Sequence, residues 1–253
     1  MAAGVAEQER LIARVRELCH ADDRLTAALM YGSFAHGEAD EHSDIEFWLF
    51  FATPPDPVRW LSRIGPLRHV LVNESGTHVV FFPGLIRGEF HLVTAAEIGS
   101  VATWPARGGP VADMVVLDRT GELRQALESL PAHPPLPDAA ELCGRFVNWL
   151  VLAHHVLQRG ELLRAADALA HARRHLLWMT RLAEGSTQHW LTPSRAAESD
   201  LPAGVVAALH AVDAGTRSES LRAAWRLGRA CWTRLGVPVP EGLFVELDDT
   251  FGG

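Results

Sequence analysis

The stretch LMYGSFAHGEADEHSDIEFWLFF, residues 29–51, decides how the chain folds. It links two apolar runs, Leu25 to Tyr31 and Ile45 to Phe51, through a polar segment that opens on Gly32-Ser33. Both runs are short and the second is aromatic, so they read as strands rather than helices. Side chains two apart on a strand share a face. Asp44 and Glu46 therefore project together, while Ile45 and Phe47 turn into the core. Two like charges held this close repel unless a cation neutralises them, and a divalent ion is the simplest such cation. Gly32-Ser33 offers what a polyphosphate needs beside that ion: a backbone with no Cβ in the way, exposed N–H groups and a hydroxyl.

Outward from this stretch, Leu11, Ile12, Val15 and Leu18 recur at helical spacing and predict an amphipathic helix over roughly the first twenty residues. After Pro54-Pro55 a brief helix is expected around Val58 to Ile64. Strands follow at His69 to Val72, His78 to Phe82 and Gly88 to Val93, with Val111 to Leu117 as a last one. Strands interleaved with a few helices predict an α+β unit built on one mixed sheet with flanking helices.

The segment PAHPPLPD, residues 131–138, carries four prolines, a density that suits neither helix nor sheet. It divides the chain into residues 1–132 and 138–253. Beyond it Asp138 and Glu141 resemble a capping box, followed by Leu142, Phe146, Trp149, Leu150, Ala153 and Leu157 at helical spacing. Gly160 ends that helix. A second is expected from about 161 to 184, stopped by Gly185, and two more near 201–214 and 217–235. The second half is thus expected to be an all-α helical bundle.

Composition narrows the function. Lys plus Arg is 23 against 31 for Asp plus Glu, a net charge of -8, which disfavours a nucleic-acid partner. All the basic side chains counted there are arginine, so any cationic contact to phosphate presents a planar fork of donors. Cys19, Cys143 and Cys231 are widely spaced with no CxxC pair, which indicates neither a disulfide framework nor a zinc knuckle. With no signal peptide and no apolar run near the roughly 18 residues of a membrane span, a cytoplasmic protein is expected. His171 and His175, four apart, and the adjacent His154-His155 lack an HExxH context and read as structural rather than as zinc ligands. Trp149, Trp178 and Trp190 suit bundle packing better than a ligand wall.

A third acid is needed to take a proton from an attacking hydroxyl. Glu89, in RGEFHLV, is better placed than Asp113, because strand alternation puts Arg87, Glu89 and His91 on one face and lets Glu89 meet the D-x-E across the sheet. Oxygen ligands of this kind suit Mg²⁺, which takes a couple of carboxylates together with phosphate oxygens and water.

The pattern G-S, ten residues, then D-x-E between two apolar runs resembles the nucleotidyltransferase superfamily of DNA polymerase beta and kanamycin nucleotidyltransferase. YGSFAHGEADEHSDIEFWLF is more similar still to the lincosamide nucleotidyltransferases, with the resemblance strongest over about residues 8–93. It implies that Gly32 and Ser33 hold the triphosphate, that Asp44 and Glu46 bind Mg²⁺ as two ions, and that Glu89 is the general base. A helix of the second domain commonly closes over the triphosphate in such enzymes, which brings Arg174, beside Arg173, into the nucleotide-binding set. The implied reaction moves a nucleoside monophosphate from ATP or another nucleoside triphosphate to a hydroxyl of a lincosamide, by in-line displacement of pyrophosphate, in a homodimer. Alternative acceptors are an aminoglycoside, another metabolite or a protein side chain. A catalytically silent domain that only binds nucleotide or a partner is the reading from another class.

Overall fold

A computed structural model describes residues 5–252, and the chain divides into two compact units, Met1–Pro134 and Pro135–Gly253. In the first unit, α1 (Val5–Ala21) buries Leu11, Val15 and Leu18 on one stripe. The first four residues of the helical span read from the sequence lie outside the described residues. Strand β1 (Leu25–Met30) runs to Tyr31 and Gly32, where α2 (Ser33–His36) makes a single turn. After β2 (Ile45–Phe51), α3 (Pro57–Leu61) starts on Asp56, whose carboxylate accepts the Arg59 N–H at 2.7 Å. Strands β3 (His69–Val72), β4 (His78–Phe81) and β5 (Arg87–Thr94) follow. A 3-10 segment over Ala95–Thr103 then leads to α4 (Val111–Met114), β6 (Val115–Asp118) and α5 (Glu122–Glu128).

The six strands form one mixed sheet in the order β3-β4-β5-β2-β1-β6. Only β2 and β5 pair in parallel, in unbroken register from Ile45 opposite Gly88 to Phe51 opposite Thr94. Its core-facing side carries Ile45, Phe47, Leu49 and Phe90, with the Phe47 and Phe90 rings stacked at 5.9 Å. At roughly 25 cal/mol per Å² of apolar area removed from water, buried aromatic rings such as these dominate the unit's stability.

One strand differs from the sequence reading. Residues 111–114 form a helical turn rather than strand, because Pro110 leads the chain into α4 and only residues from Val115 onward pair with β1. Asp44 likewise precedes β2 instead of lying within it.

In the second unit, α6 (Ala139–Gln158) and α7 (Leu162–Glu184) pack along each other, joined by a short turn at Gly160. Asp138 caps α6 by accepting the Ala140 N–H at 3.1 Å, but Glu141 pairs with Arg145 one turn on instead of completing a capping box. The bundle continues with α8 (Ala197–Asp200), α9 (Ala203–Asp213), α10 (Arg217–Arg234) and α11 (Glu241–Phe251). Helix α11 is absent from the sequence reading, although Phe244, Leu247 and Phe251 recur at helical spacing; the preceding Val-Pro-Val-Pro has the texture of a linker. Phe146, Leu150, Leu176, Met179 and Trp225 fill the core, and Trp190 is buried there while Trp149 and Trp178 pack at its edge.

Candidate active site

Strand order creates the site. Because β2 and β5 run in parallel, their first residues lie at the same edge of the sheet, and the end of antiparallel β1 comes back to that edge. Glu46 is in register with Glu89, and the Tyr31 N–H bonds the Glu46 carbonyl at 3.1 Å. Three carboxylates, Asp44, Glu46 and Glu89, thus gather beside the Gly32 bend. At the ~4.8 Å between neighbouring strands, two unit charges in an effective dielectric near 20 repel by about 3–4 kcal/mol. An arrangement of this kind needs a counter-charge.

Arg87 supplies part of it. One arm of its guanidinium bonds an Asp44 carboxylate oxygen and the other bonds Oε1 of Glu89. Burial works against the charge of Arg87, but the bonds to Glu89 and Asp44 outweigh it and hold the guanidinium protonated. The second Glu89 oxygen, Oε2, lies 3.5 Å from the Tyr31 hydroxyl. Burial, followed by the charges of Glu46 and Glu89, raises the phenol far above its ordinary range, so Tyr31 is a hydrogen-bond donor here. Arg87 thus meets two of the three carboxylates, Asp44 and Glu89.

Gly32 makes the bend possible. It adopts φ +72°, which L side chains rarely occupy, and a Cβ built on it would fall on the Glu46 carboxylate. Its carbonyl accepts the Ala35 and His36 N–H groups at 3.1 and 3.2 Å. Ser33, which follows it, is buried at the start of α2. The amides of Ser33 and Phe34 have no carbonyl one turn back inside their own helix.

Next to the acids, the same sheet face carries an aromatic group. The His91 ring stacks on Trp48 at 3.8 Å, Trp104 leans on Trp48 at 5.4 Å, and Thr77 Oγ1 is 3.4 Å from His91 Nε2. Burial pushes the His91 pKa down to about 4, the Glu89 charge opposing, so the ring is neutral at pH 7.

The acids fit a divalent cation in donor type: hard carboxylate oxygens, two of them two residues apart. Among the described residues no group of three or more His, Cys, Asp or Glu side chains could by itself hold a metal ion, so an ion here would need further ligands from phosphate and water.

Of the residues singled out from the sequence, Gly32, Ser33, Asp44, Glu46 and Glu89 meet at this edge. Asp113 lies exposed on α4 and is joined to the acids by no bond among those described. Arg174 lies on α7 in the second unit, where it lines a cleft of about 710 Å³ with His171, Arg173, Trp178 and Thr192. Arg173 pairs with Asp213 at 2.8 Å, and His171 stacks on Trp149 at 4.2 Å. The clamp on Glu89 is the feature that sequence reasoning missed. Arg87 follows from strand alternation, but nothing in the letters marks Tyr31 as its second donor.

Residues 137–251 match the family described as lincosamide nucleotidyltransferase-like, C-terminal domain. Two solved structures are similar. An aminoglycoside 6-adenyltransferase from Bacillus subtilis is 15% identical, with 97% of each chain covered and a TM-score of 0.41. A nucleotidyltransferase-like protein from Exiguobacterium sibiricum is 13% identical, with 91% of this chain and 77% of that chain covered and a TM-score of 0.38. No curated protein matches the chain. No helix among the described residues is long and apolar enough to cross a membrane.

Proposed function

From the match of residues 137–251 to the lincosamide nucleotidyltransferase-like C-terminal domain family, we propose that the chain transfers a nucleoside monophosphate from a nucleoside triphosphate, ATP first among them, to a hydroxyl of a small antibiotic, most naturally a lincosamide. The observation that carries this reading is the convergence of Asp44, Glu46 and Glu89 on the Gly32 bend.

Each residue then has a task. Asp44 and Glu46 would hold Mg²⁺, and the bend at Gly32-Ser33 would receive the polyphosphate. Bound Mg²⁺ would neutralise the phosphate oxygens and polarise the phosphorus toward attack. Glu89, oriented at both oxygens by Arg87 and Tyr31, would accept the proton of the acceptor hydroxyl, which needs a separation of about 3 Å directly or through one water. Trp48, His91 and Trp104 give the same face a dry flank for an apolar substrate surface. A homodimer is proposed as the working form.

The test is a mass-spectrometric search for nucleotidyl adducts after incubation with Mg²⁺, mixed triphosphates and a panel of lincosamides and aminoglycosides. An adduct on a lincosamide that disappears in Asp44→Asn supports the proposal. An adduct on aminoglycosides alone moves the acceptor class, and triphosphate binding without any adduct points to the catalytically silent alternative.

A further inference from the structure

Arg87 sits where a cation is wanted, yet it is part of the protein. Its fork spans Asp44 on one side and Glu89 on the other, with Arg87 and Asp44 each about one third exposed and Glu89 less so, at 35%, 33% and 22%. The two acids have different tasks in the reading above: one a cation ligand, the other a proton acceptor. A guanidinium is planar and always charged, and it matches carboxylates through two donors in fixed geometry. The arm on Glu89 acts together with Tyr31, which approaches the opposite oxygen of the same carboxylate. The arm on Asp44 has no such companion among the bonds described, and it covers an oxygen that a divalent ion would use.

We propose that Arg87 is a positioning residue with two opposed effects: it competes with a divalent cation for Asp44, and it holds Glu89 in the orientation that accepts a proton. The inference rests on the nucleotidyl-transfer reading. It makes ion affinity and turnover respond in opposite directions to one substitution. Removing the guanidinium deletes a competing positive charge beside Asp44, so a divalent ion binds more tightly. The same removal frees Glu89 at Oε1, so transfer slows. A merely structural Arg87 would instead weaken both when removed.

The experiment titrates Mn²⁺ into the full chain without nucleotide, reading free ion by electron paramagnetic resonance, and separately measures adduct formation. Arg87→Met is expected to bind Mn²⁺ about tenfold more tightly than wild type, the size of one partly exposed opposing charge. Its kcat should fall by about 10–100-fold with the KM for triphosphate little changed. Arg87→Lys keeps the charge but cannot span both carboxylates, so its Mn²⁺ affinity should stay within about threefold of wild type while kcat still falls.

Mn²⁺ binding by Arg87→Met that is equal to or weaker than wild type overturns the proposal, even where wild type binds the ion and transfers nucleotide normally. Failure of wild type both to bind Mn²⁺ and to form any adduct overturns the functional reading instead, whereas ion uptake by Arg87→Met alone upholds the competition. Should Arg87→Met not fold in ion-free buffer, recovery of its circular dichroism on adding saturating Mn²⁺ supports the counter-ion role. Lack of recovery counts against it.

Discussion

The Glu46 carboxylate occupies the volume that any side chain at residue 32 would need, and Gly32 holds φ +72° against it. The two residues are a matched pair: the bend is tight because one has no side chain, and the acid is placed because the bend is tight. Gly32→Ala meets both a left-handed backbone conformation and a collision, and should cost about 1–3 kcal/mol. Adding Glu46→Ala removes the collision but not the backbone penalty. A double-mutant cycle by urea unfolding should therefore give a coupling of about 0.5–3 kcal/mol, and additive effects would mean the two do not touch.

Asp44→Asn and Glu46→Gln separate chemistry from folding. Each removes one of several clustered negative charges at a partly exposed edge, so unfolding free energy should change by no more than about 1 kcal/mol. Adduct formation should fall by about 10²–10³-fold or more, since the electrostatic contribution to phosphoryl transfer is large. Retention of transfer by both variants would remove these acids from the reaction.

His91 makes stability depend on pH. Its folded pKa lies near 4, below the ordinary 6.5, chiefly because burial disfavours the charged ring. The unfolded chain then binds the extra proton first. Stability is full above about pH 6.5, declines as the pH drops toward about 4, and does not change further from this group below that. His91→Phe keeps a ring on Trp48 and removes the titration, so its stability profile should be flatter over the same window in urea melts at several pH values.

Arg181 is fully buried in the second unit and pins the segment between α7 and α9. It donates to the carbonyls of Pro193, Ser186 and Arg195 and pairs with Asp200 at 3.0 Å, the same carboxylate oxygen that His189 approaches at 2.7 Å. Arg181→Met leaves the carbonyls of Pro193, Ser186 and Arg195 without this donor and leaves Asp200 with His189 but no Arg181 guanidinium. A loss of about 3–5 kcal/mol is expected from chemical denaturation, and a loss under 1 kcal/mol would mean that water replaces the guanidinium at little cost.

Much of the first unit was legible because its signals are local. Ile45 to Leu49 alternates buried and half-buried positions before β2 ends in the buried Phe50 and Phe51, and that alternation turns Glu46 and Trp48 away from the core. Capping and periodicity likewise mark α6, α7 and α10. The misses are places where a local pattern competes with a long-range one. Val111 to Met114 runs into the apolar segment of β6 but pairs with no strand among the described residues, and α11 hides behind alternating prolines.

Legible in the letters alone were the alternation at the start of β2, the glycines and prolines that interrupt the chain, and the two-residue spacing of Asp44 and Glu46. Those properties depend on neighbours one to four positions away. Tertiary structure alone decided that β5 lies parallel to β2 with Glu89 opposite Glu46, that Arg87 bridges to Asp44 across 43 positions of chain, and that Tyr31 approaches Glu89 across 58. Pairing between distant strands is chosen by the whole sheet's burial and register, which no short window of sequence contains.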